Sequence, residues 1–266
     1  MTDSDKQNKK QGRITVVGMG PGTESMMTQQ ASRALDQADV IVGYTVYLDL
    51  LGNRFKNKRF LTTEMKQETE RCRLCFEEAA KGSDVAMVCS GDAGIYGMAS
   101  LLFEMREEFA AAGEMKTAYE IKIDVVPGIT AASSGAAVLG APLNHDFCVI
   151  SLSDLLTPWE LIEKRLRAAA EGDFAIALYN PSSRKRHDYL MKACDILLET
   201  AEPGRACGYV RNIGRQGEEY VTCTLAELRS AEVDMFTTVF IGNSQTRISG
   251  GRLITPRGYI NKRRQL

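Results

Sequence analysis

Arg13-Ile-Thr-Val-Val-Gly-Met-Gly-Pro-Gly22 decides how the rest of the chain is read. The β-branched run Ile14–Val17 predicts a buried strand, and it empties into glycines at alternate positions, Gly18, Gly20 and Gly22. A helical pattern follows from about Thr28, with Ala31, Leu35 and Ala38 on one face. Strand, glycine turn, helix opens a doubly wound α/β domain, where backbone without side chains approaches a ligand closely. The loop departs from a dinucleotide fingerprint in three places. The third glycine position holds Thr23, Pro21 removes an N–H where a pyrophosphate would sit, and Asp39 precedes the next apolar run, Val40–Val42, instead of closing it. The expected ligand is something other than NAD.

Outward from this turn the elements alternate. Residues 45–63 carry no clear period, but Gln67–Ala80 reads as a helix stopped by Gly82, and Val85–Cys89 as a buried strand. A helix over Met98–Ala112, a strand over Ile121–Val126 broken by Pro127-Gly128, and a small-residue helix over Thr130–Leu139 follow. The pattern then restarts with strands at Phe147–Leu152, Phe174–Tyr179, Ala206–Val210, Glu219–Thr224 and Thr237–Ile241. Helices are expected at Tyr189–Glu199 and Leu225–Ala231, and after Thr157, where Thr157 as N-cap, Pro158 at N1 and Glu160 compose a capping box. The fold class is α/β: two α/β domains with a cleft between them, the N-terminal sheet mostly parallel and the C-terminal sheet mixed. The boundary falls near residues 127–145. We divide the chain into a disordered leader (1–12), an N-terminal domain (13–130), a C-terminal domain (131–260) and a tail (261–266).

Bulk properties narrow the function. The 266 residues carry 33 Lys+Arg against 34 Asp+Glu, a net charge of −1, which gives no case for nucleic acid or an anionic membrane. No apolar run approaches the roughly 20 residues of a membrane span. The N-terminal Met-Thr-Asp-Ser-Asp-Lys lacks a signal-peptide profile, so a cytoplasmic location is expected. Seven scattered cysteines fit reduced thiols. Cys72-Arg-Leu-Cys75, a lone pair inside a charged helix, reads as two half-buried thiols, and with His145 and His187 the only histidines no metal site is expected.

Three glycine-rich loops, 18–22, 90–97 and 127–131, follow strands of the first half, and parallel strands gather such loops on the edge where ligands bind. Any one of them serves simply as a tight turn; three together point to a binding site. Arg184-Lys-Arg-His187 precedes a helix start, where cations oppose the helix dipole, so the basic loop is either solvated or built for an acidic ligand. The stretch from His145 to Trp159 concentrates one histidine, two aspartates, two serines and the only tryptophan around a short strand. It is either a satisfied hydrogen-bond cluster or acid–base machinery.

VVGMGPG, SGDAGIYGM, VVPGITAASS, LGAPLNHDFCVISLSDLLTPW, ALYNPSSRKR and LITPRGY occur in that order, and together they resemble the tetrapyrrole methylase family over Ile14 to about Tyr259. The resemblance implies two α/β domains, usually in a homodimer, that use S-adenosylmethionine on corrin and sirohaem precursors and release S-adenosylhomocysteine. HDFCVISLSDLLTPW with YNPSSR is similar to the branch that methylates C17 and contracts the macrocycle in cobalamin synthesis, and GDAGIYGMA is nearer its cobalt-dependent than its aerobic members. The implied substrate is therefore a cobalt-precorrin, cobalt-factor III. The alternatives are aerobic precorrin-3B methylation, a sibling methylase acting at another carbon, and, from another class, a non-catalytic nucleotide- or tetrapyrrole-binding module.

By the same resemblance the cofactor touches Pro21, Gly91, Asp92, Ile95, Thr130 and Ala131, with Asn180 and Ile213 added by the C-terminal domain. Asn180 stands where many relatives have methionine and Ile213 where several have a smaller residue. Gly20 lets a flat macrocycle come near, and Arg184 and Arg186 face its carboxylates. Candidates for the proton transfers of ring contraction are His145, Asp146, Ser153 and Asp154, with Asp146 orienting His145.

Overall fold

A computed structural model describes residues 11–115, 117–183 and 185–259. Most of the expected leader, the tail and Arg184 lie outside the described residues. Gln11 and Gly12, assigned to the leader, are instead tied down: the Gly12 N–H donates to the Ala79 carbonyl at 3.0 Å and Gln11 Nε2 to the Thr117 carbonyl at 3.2 Å. The chain divides into two compact units, Met1–Thr130 and Ala131–Leu266.

The first unit runs β1 (Arg13–Gly18), α1 (Gln29–Gln37), β2 (Val40–Tyr44), α2 (Thr45–Leu50), β3 (Arg59–Thr63), α3 (Glu68–Ala80), β4 (Val85–Cys89), α4 (Ala99–Ala112) and β5 (Lys122–Val126). The stretch that had no clear period thus holds α2 and β3. The five strands form one parallel sheet in the order β3-β2-β4-β1-β5. Thr28 caps α1 by accepting the Ala31 N–H at 3.1 Å, and Ala31 and Leu35 are buried in a core that includes Ile41, Phe55 and Val88. A separate core joins α3 and α4 to the sheet, with Phe76 and Phe109 edge to face at 5.3 Å. α3 stops at Gly82, φ 99°, where the Gly82 and Ser83 N–H groups close back on the carbonyls of Ala79 and Glu78. β1 connects to β2, beyond β4, while β4 connects to β5, beyond β1. The two connections leave in opposite directions, so β1 and β4 flank the topological switch point, the place where open α/β sheets in general bind ligands.

The second unit runs α5 (Ala131–Leu139), β6 (Gly140–Ala141), β7 (Phe147–Ser151), α6 (Trp159–Glu171), β8 (Ala175–Tyr179), α7 (Tyr189–Leu197), β9 (Ala206–Arg211), β10 (Glu219–Thr224), α8 (Leu225–Leu228), β11 (Thr237–Ile241), β12 (Arg247–Ser249) and β13 (Arg252–Ile254). Its main sheet has the order β10-β9-β11-β8-β7; only β7 and β8 pair in parallel, which makes the sheet mixed. α5 can lie close to that sheet because of Gly135, where a Cβ would fall 2.8 Å from the Phe240 ring.

Three details differ from expectation. A second small sheet, β12-β13-β6, forms from strands of two or three residues. α6 begins one residue later than expected: Pro158 is the N-cap, its carbonyl accepting from Leu161 and Ile162, and no side chain caps the helix. Thr157 therefore lies one position outside a capping box. The reciprocal box forms at α8, where Thr224 and Glu227 bond each other's backbone N–H, and α8 ends at Leu228, short of the expected Ala231.

Candidate functional site

At the crevice between β1 and β4, three loops of the first unit are fastened together. The Gly20 N–H donates to the Gly91 carbonyl at 3.0 Å and the Gly91 N–H returns to Gly20 at 2.8 Å. Both glycines hold positive φ, 81° and 68°, which L side chains rarely adopt. Asp92 then ties the second loop to the third. Its Oδ1 accepts the N–H groups of Gly94 (2.8 Å) and Ile95 (3.0 Å), and its Oδ2 accepts that of Gly128 (2.9 Å). A Cβ on Gly128 would lie 2.0 Å from the Gly91 carbonyl oxygen and 2.5 Å from that of Gly18, so the three loops touch backbone to backbone.

Gly20, Pro21, Gly91, Asp92, Ile95 and Thr130 thus share one edge of the sheet, while Ala131 opens α5 of the second unit. Asp92, expected as a direct ligand contact, spends its carboxylate first on three backbone donors. Ile95 and Tyr96 project from the second loop with 42% and 54% exposure, Tyr96 at φ 53°. The three loops, 18–23, 90–97 and 127–131, contain no lysine or arginine. They offer main-chain groups, the hydroxyls of Thr23, Ser90, Tyr96 and Thr130, one carboxylate already engaged by three backbone donors, and apolar side chains, and Pro21 lacks the N–H that a pyrophosphate would use. A hollow of about 580 Å³ lies elsewhere in this unit, lined by α1 and by Arg13, Asp84 and Asp124, away from the glycine loops.

In the second unit a polar cluster gathers at the C-terminal ends of the parallel pair β7 and β8. Ser151 Oγ accepts from the Ser153 N–H (3.2 Å) and from Asn180 Nδ2 (2.9 Å). Arg186 donates from Nη1 to Ser153 Oγ (2.8 Å) and to Asp154 Oδ1 (3.1 Å), and from Nε to Ser183 Oγ (3.2 Å). Tyr189, the first residue of α7, donates its hydroxyl to Asp154 Oδ2 at 2.5 Å, and its ring lies 4.5 Å from that of Trp159. The Tyr189 hydroxyl and then Arg186 hold the Asp154 carboxyl below its ordinary 3.8, and Asp154 in turn raises the phenol above 10.0. Asp154 is therefore ionised at neutral pH and anchors Arg186; a carboxylate held so acidic is a weak proton acceptor. Asn180 suits its position because it sits at φ 53°, a region asparagine adopts more readily than most side chains. Tyr189 was legible in the sequence only as a helix start, since nothing local to it indicates a partner 35 residues away.

The four acid–base candidates separate into two pairs. His145 and Asp146 precede β7 and Ser153 and Asp154 follow it, a strand of five residues or roughly 16 Å apart. The His145 ring reaches beyond its own strand: its Nε2 lies 2.8 Å from the Pro256 carbonyl, which only accepts, so that nitrogen carries the proton in this contact. The Ile213 side chain is 5% exposed and packs in the core with Ala132 and Phe240, so its backbone is what it would offer a ligand. Cys72, pushed to about 12 by burial, and Cys89 and Cys148, both to about 11, are protonated thiols at neutral pH.

Comparison with known proteins adds a third line. The family described as Tetrapyrrole (Corrin/Porphyrin) Methylases matches residues 13–229. The chain is similar to a protein of Salmonella typhimurium named probable cobalt-factor III C(17)-methyltransferase, 44% identical over 92% of this chain and 99% of that one. A protein of the same name from Methanocaldococcus jannaschii is 46% identical over 94% and 98%. Among solved structures, the methyltransferase CobJ superposes with a TM-score of 0.83 at 41% identity, covering 92% of this chain and 100% of that one. A uroporphyrin-III C-methyl transferase from Thermus thermophilus, complexed with S-adenyl homocysteine, shares the fold at TM-score 0.65 and 21% identity, over 87% of this chain and 92% of that one.

Proposed function

The chain belongs to the tetrapyrrole methylases, and we propose that it transfers a methyl group from S-adenosylmethionine to C17 of cobalt-factor III, with ring contraction, in cobalamin biosynthesis. The observation that carries this reading is the trio of glycine loops joined at the β1–β4 crevice, with Asp92 and no basic side chain. S-adenosylmethionine carries no phosphate, so the N–H missing at Pro21 and the glycine missing at Thr23 do not count against it as they do against a dinucleotide. The relatives at 44% and 46% identity bear the C17 name along almost their whole length, which favours this carbon and the cobalt form over a sibling activity.

Pro21, Gly91, Asp92, Ile95, Thr130 and Ala131 are the residues we assign to the cofactor, with Asn180 and the Ile213 backbone from the second unit. When bound, the cofactor supplies an electrophilic methyl on a sulfonium. The displacement asks the protein for position and dryness more than for a nucleophile, and loops fastened to one another provide position. Gly20 and Arg186 are assigned to the substrate, with Arg184 as a further basic group. Of the four acid–base candidates, Ser153 and Asp154 are given the task of holding Arg186 toward the carboxylates at the rim of a tetrapyrrole. We place the working form as a cytoplasmic homodimer, to be checked by sedimentation velocity; no helix among the described residues is long and apolar enough to cross a membrane.

Anaerobic incubation with S-adenosylmethionine and cobalt-factor III is expected to give a product heavier by one methyl and stripped of the absorbance of the larger ring, while precorrin-3B reacts slowly or not at all. Titration calorimetry should show S-adenosylhomocysteine binding and no heat with NADH; the reverse pattern defeats the reading. Absence of turnover with cofactor and macrocycle both bound would favour the non-catalytic module. Asp154→Asn is expected to raise KM for the macrocycle about tenfold by removing the charge that steadies Arg186, leaving affinity for S-adenosylhomocysteine unchanged. The sign with pH follows from the lowered carboxyl: the contact is complete above the ordinary 3.8 and is lost only as pH falls through the lower value in the folded protein. Steady-state kinetics between pH 6 and 8, chosen as about neutral, should therefore show no acid limb from Asp154.

A further inference from the structure

Between the polar cluster and α6, the loop 152–158 presents two large apolar side chains to solvent: Leu155 is 66% exposed and Leu156 98%. Each side of the pair is held. Ser153 is bonded to Ser151 and Arg186, Asp154 to Arg186 and Tyr189, and beyond Pro158 the chain enters α6 at Trp159, whose ring rests against Tyr189. The loop is thus fastened at its base with the two adjacent leucines outward. The loop follows β7 and the basic loop follows β8, and because these neighbours run parallel both loops sit on the same edge of the sheet. Exposed Lys185 and the anchored Arg186 belong to that second loop. An apolar tip and a cationic loop on one edge match a ligand with an apolar face and an acidic rim.

We propose that Leu155 and Leu156 form an apolar seat for the face of the tetrapyrrole macrocycle, with Leu156 the larger contributor, while Arg186 meets its carboxylate rim. This rests on the methylase reading above and adds to it the element that recognises the ring itself. A second copy of the chain covering the leucines is the competing occupant.

The test uses the full-length protein with Leu156→Ser, Leu155→Ser and the apolar control Leu156→Met. Binding of cobalt-factor III is followed by its absorbance without methyl donor, and turnover separately. Because Leu156 is almost fully exposed, its polar replacement should leave thermal unfolding and affinity for S-adenosylhomocysteine as in the parent. The expected result is about a tenfold weaker macrocycle affinity and a matching rise in KM, with kcat unchanged, since one leucine contributes a contact of that size. Leu155→Ser should show a smaller loss and Leu156→Met near-parental affinity. Unchanged macrocycle affinity in both serine variants overturns the proposal, as does a serine variant that only converts a dimer to monomer in sedimentation. The two readings fail separately: leucine-dependent binding without methyl transfer in the parent would leave the seat and remove the methylase reading, and normal turnover with leucine-independent binding would do the opposite.

Discussion

Asp92→Ala is expected to weaken S-adenosylhomocysteine binding on the order of 100-fold and to stop methyl transfer at ordinary cofactor concentrations. The carboxylate accepts from Gly94, Ile95 and Gly128, so its loss leaves three backbone donors without the acceptor that aligns them. A hydrogen bond to a charged group contributes about 1.5–3 kcal/mol, and two loops lose their shared fixture here. Asp92→Asn separates charge from geometry. The amide keeps one oxygen, so either the Gly94 and Ile95 pair or Gly128 retains its acceptor while an N–H group faces the other. Its affinity should fall between the parent and the alanine variant. Calorimetry reads both, and a parental dissociation constant in Asp92→Ala would mean that these loops do not seat the cofactor.

Gly128→Ala is expected to be more damaging still, because it strikes the backbone. The added Cβ would meet the carbonyl oxygens of Gly91 and Gly18, neither of which can rotate aside without breaking the loops apart. Overpacking of this kind costs about 3 kcal/mol or more, and thermal unfolding should move down by roughly 2–4 °C for each kcal/mol in a chain of this size. S-adenosylhomocysteine binding should be lost with it. Gly204→Ala is the control: a Cβ there meets nothing within 4 Å, and unfolding should shift only marginally. Equal stability of the two variants would refute the close packing of the three loops.

Much of this arrangement is written locally. The β-branched run at Ile14–Val17, the apolar run at Val85–Cys89, the helical pattern from about Thr28 and the stop at Gly82 each depend on neighbours a few residues away, and each appears in the structure where the sequence implies it. The glycine loops were legible as a group because strand-to-helix turns of a parallel sheet must meet on one edge. Thr23 and Pro21 in the first of them also argued against a dinucleotide.

The misreadings share one cause, reliance on proximity in sequence. His145 and Ser153 look like members of one cluster, but the extended length of β7 puts them at opposite ends of a strand, and the His145 ring finds Pro256, 111 residues on. Tyr189 and Arg186 reach Asp154 only because β7 and β8 lie side by side in parallel. The small sheet β12-β13-β6 joins segments more than 100 positions apart through strands too short to show a period. By itself, then, the sequence determined the α/β class and the placement of most elements, which rest on local periodicity and turn chemistry, and the family, which rests on motifs that occur in a fixed order. Only the tertiary structure decided which polar side chains act together and which apolar ones stay uncovered, because hydrogen-bond partners and burial are settled by strand order and register, which no short stretch of chain contains.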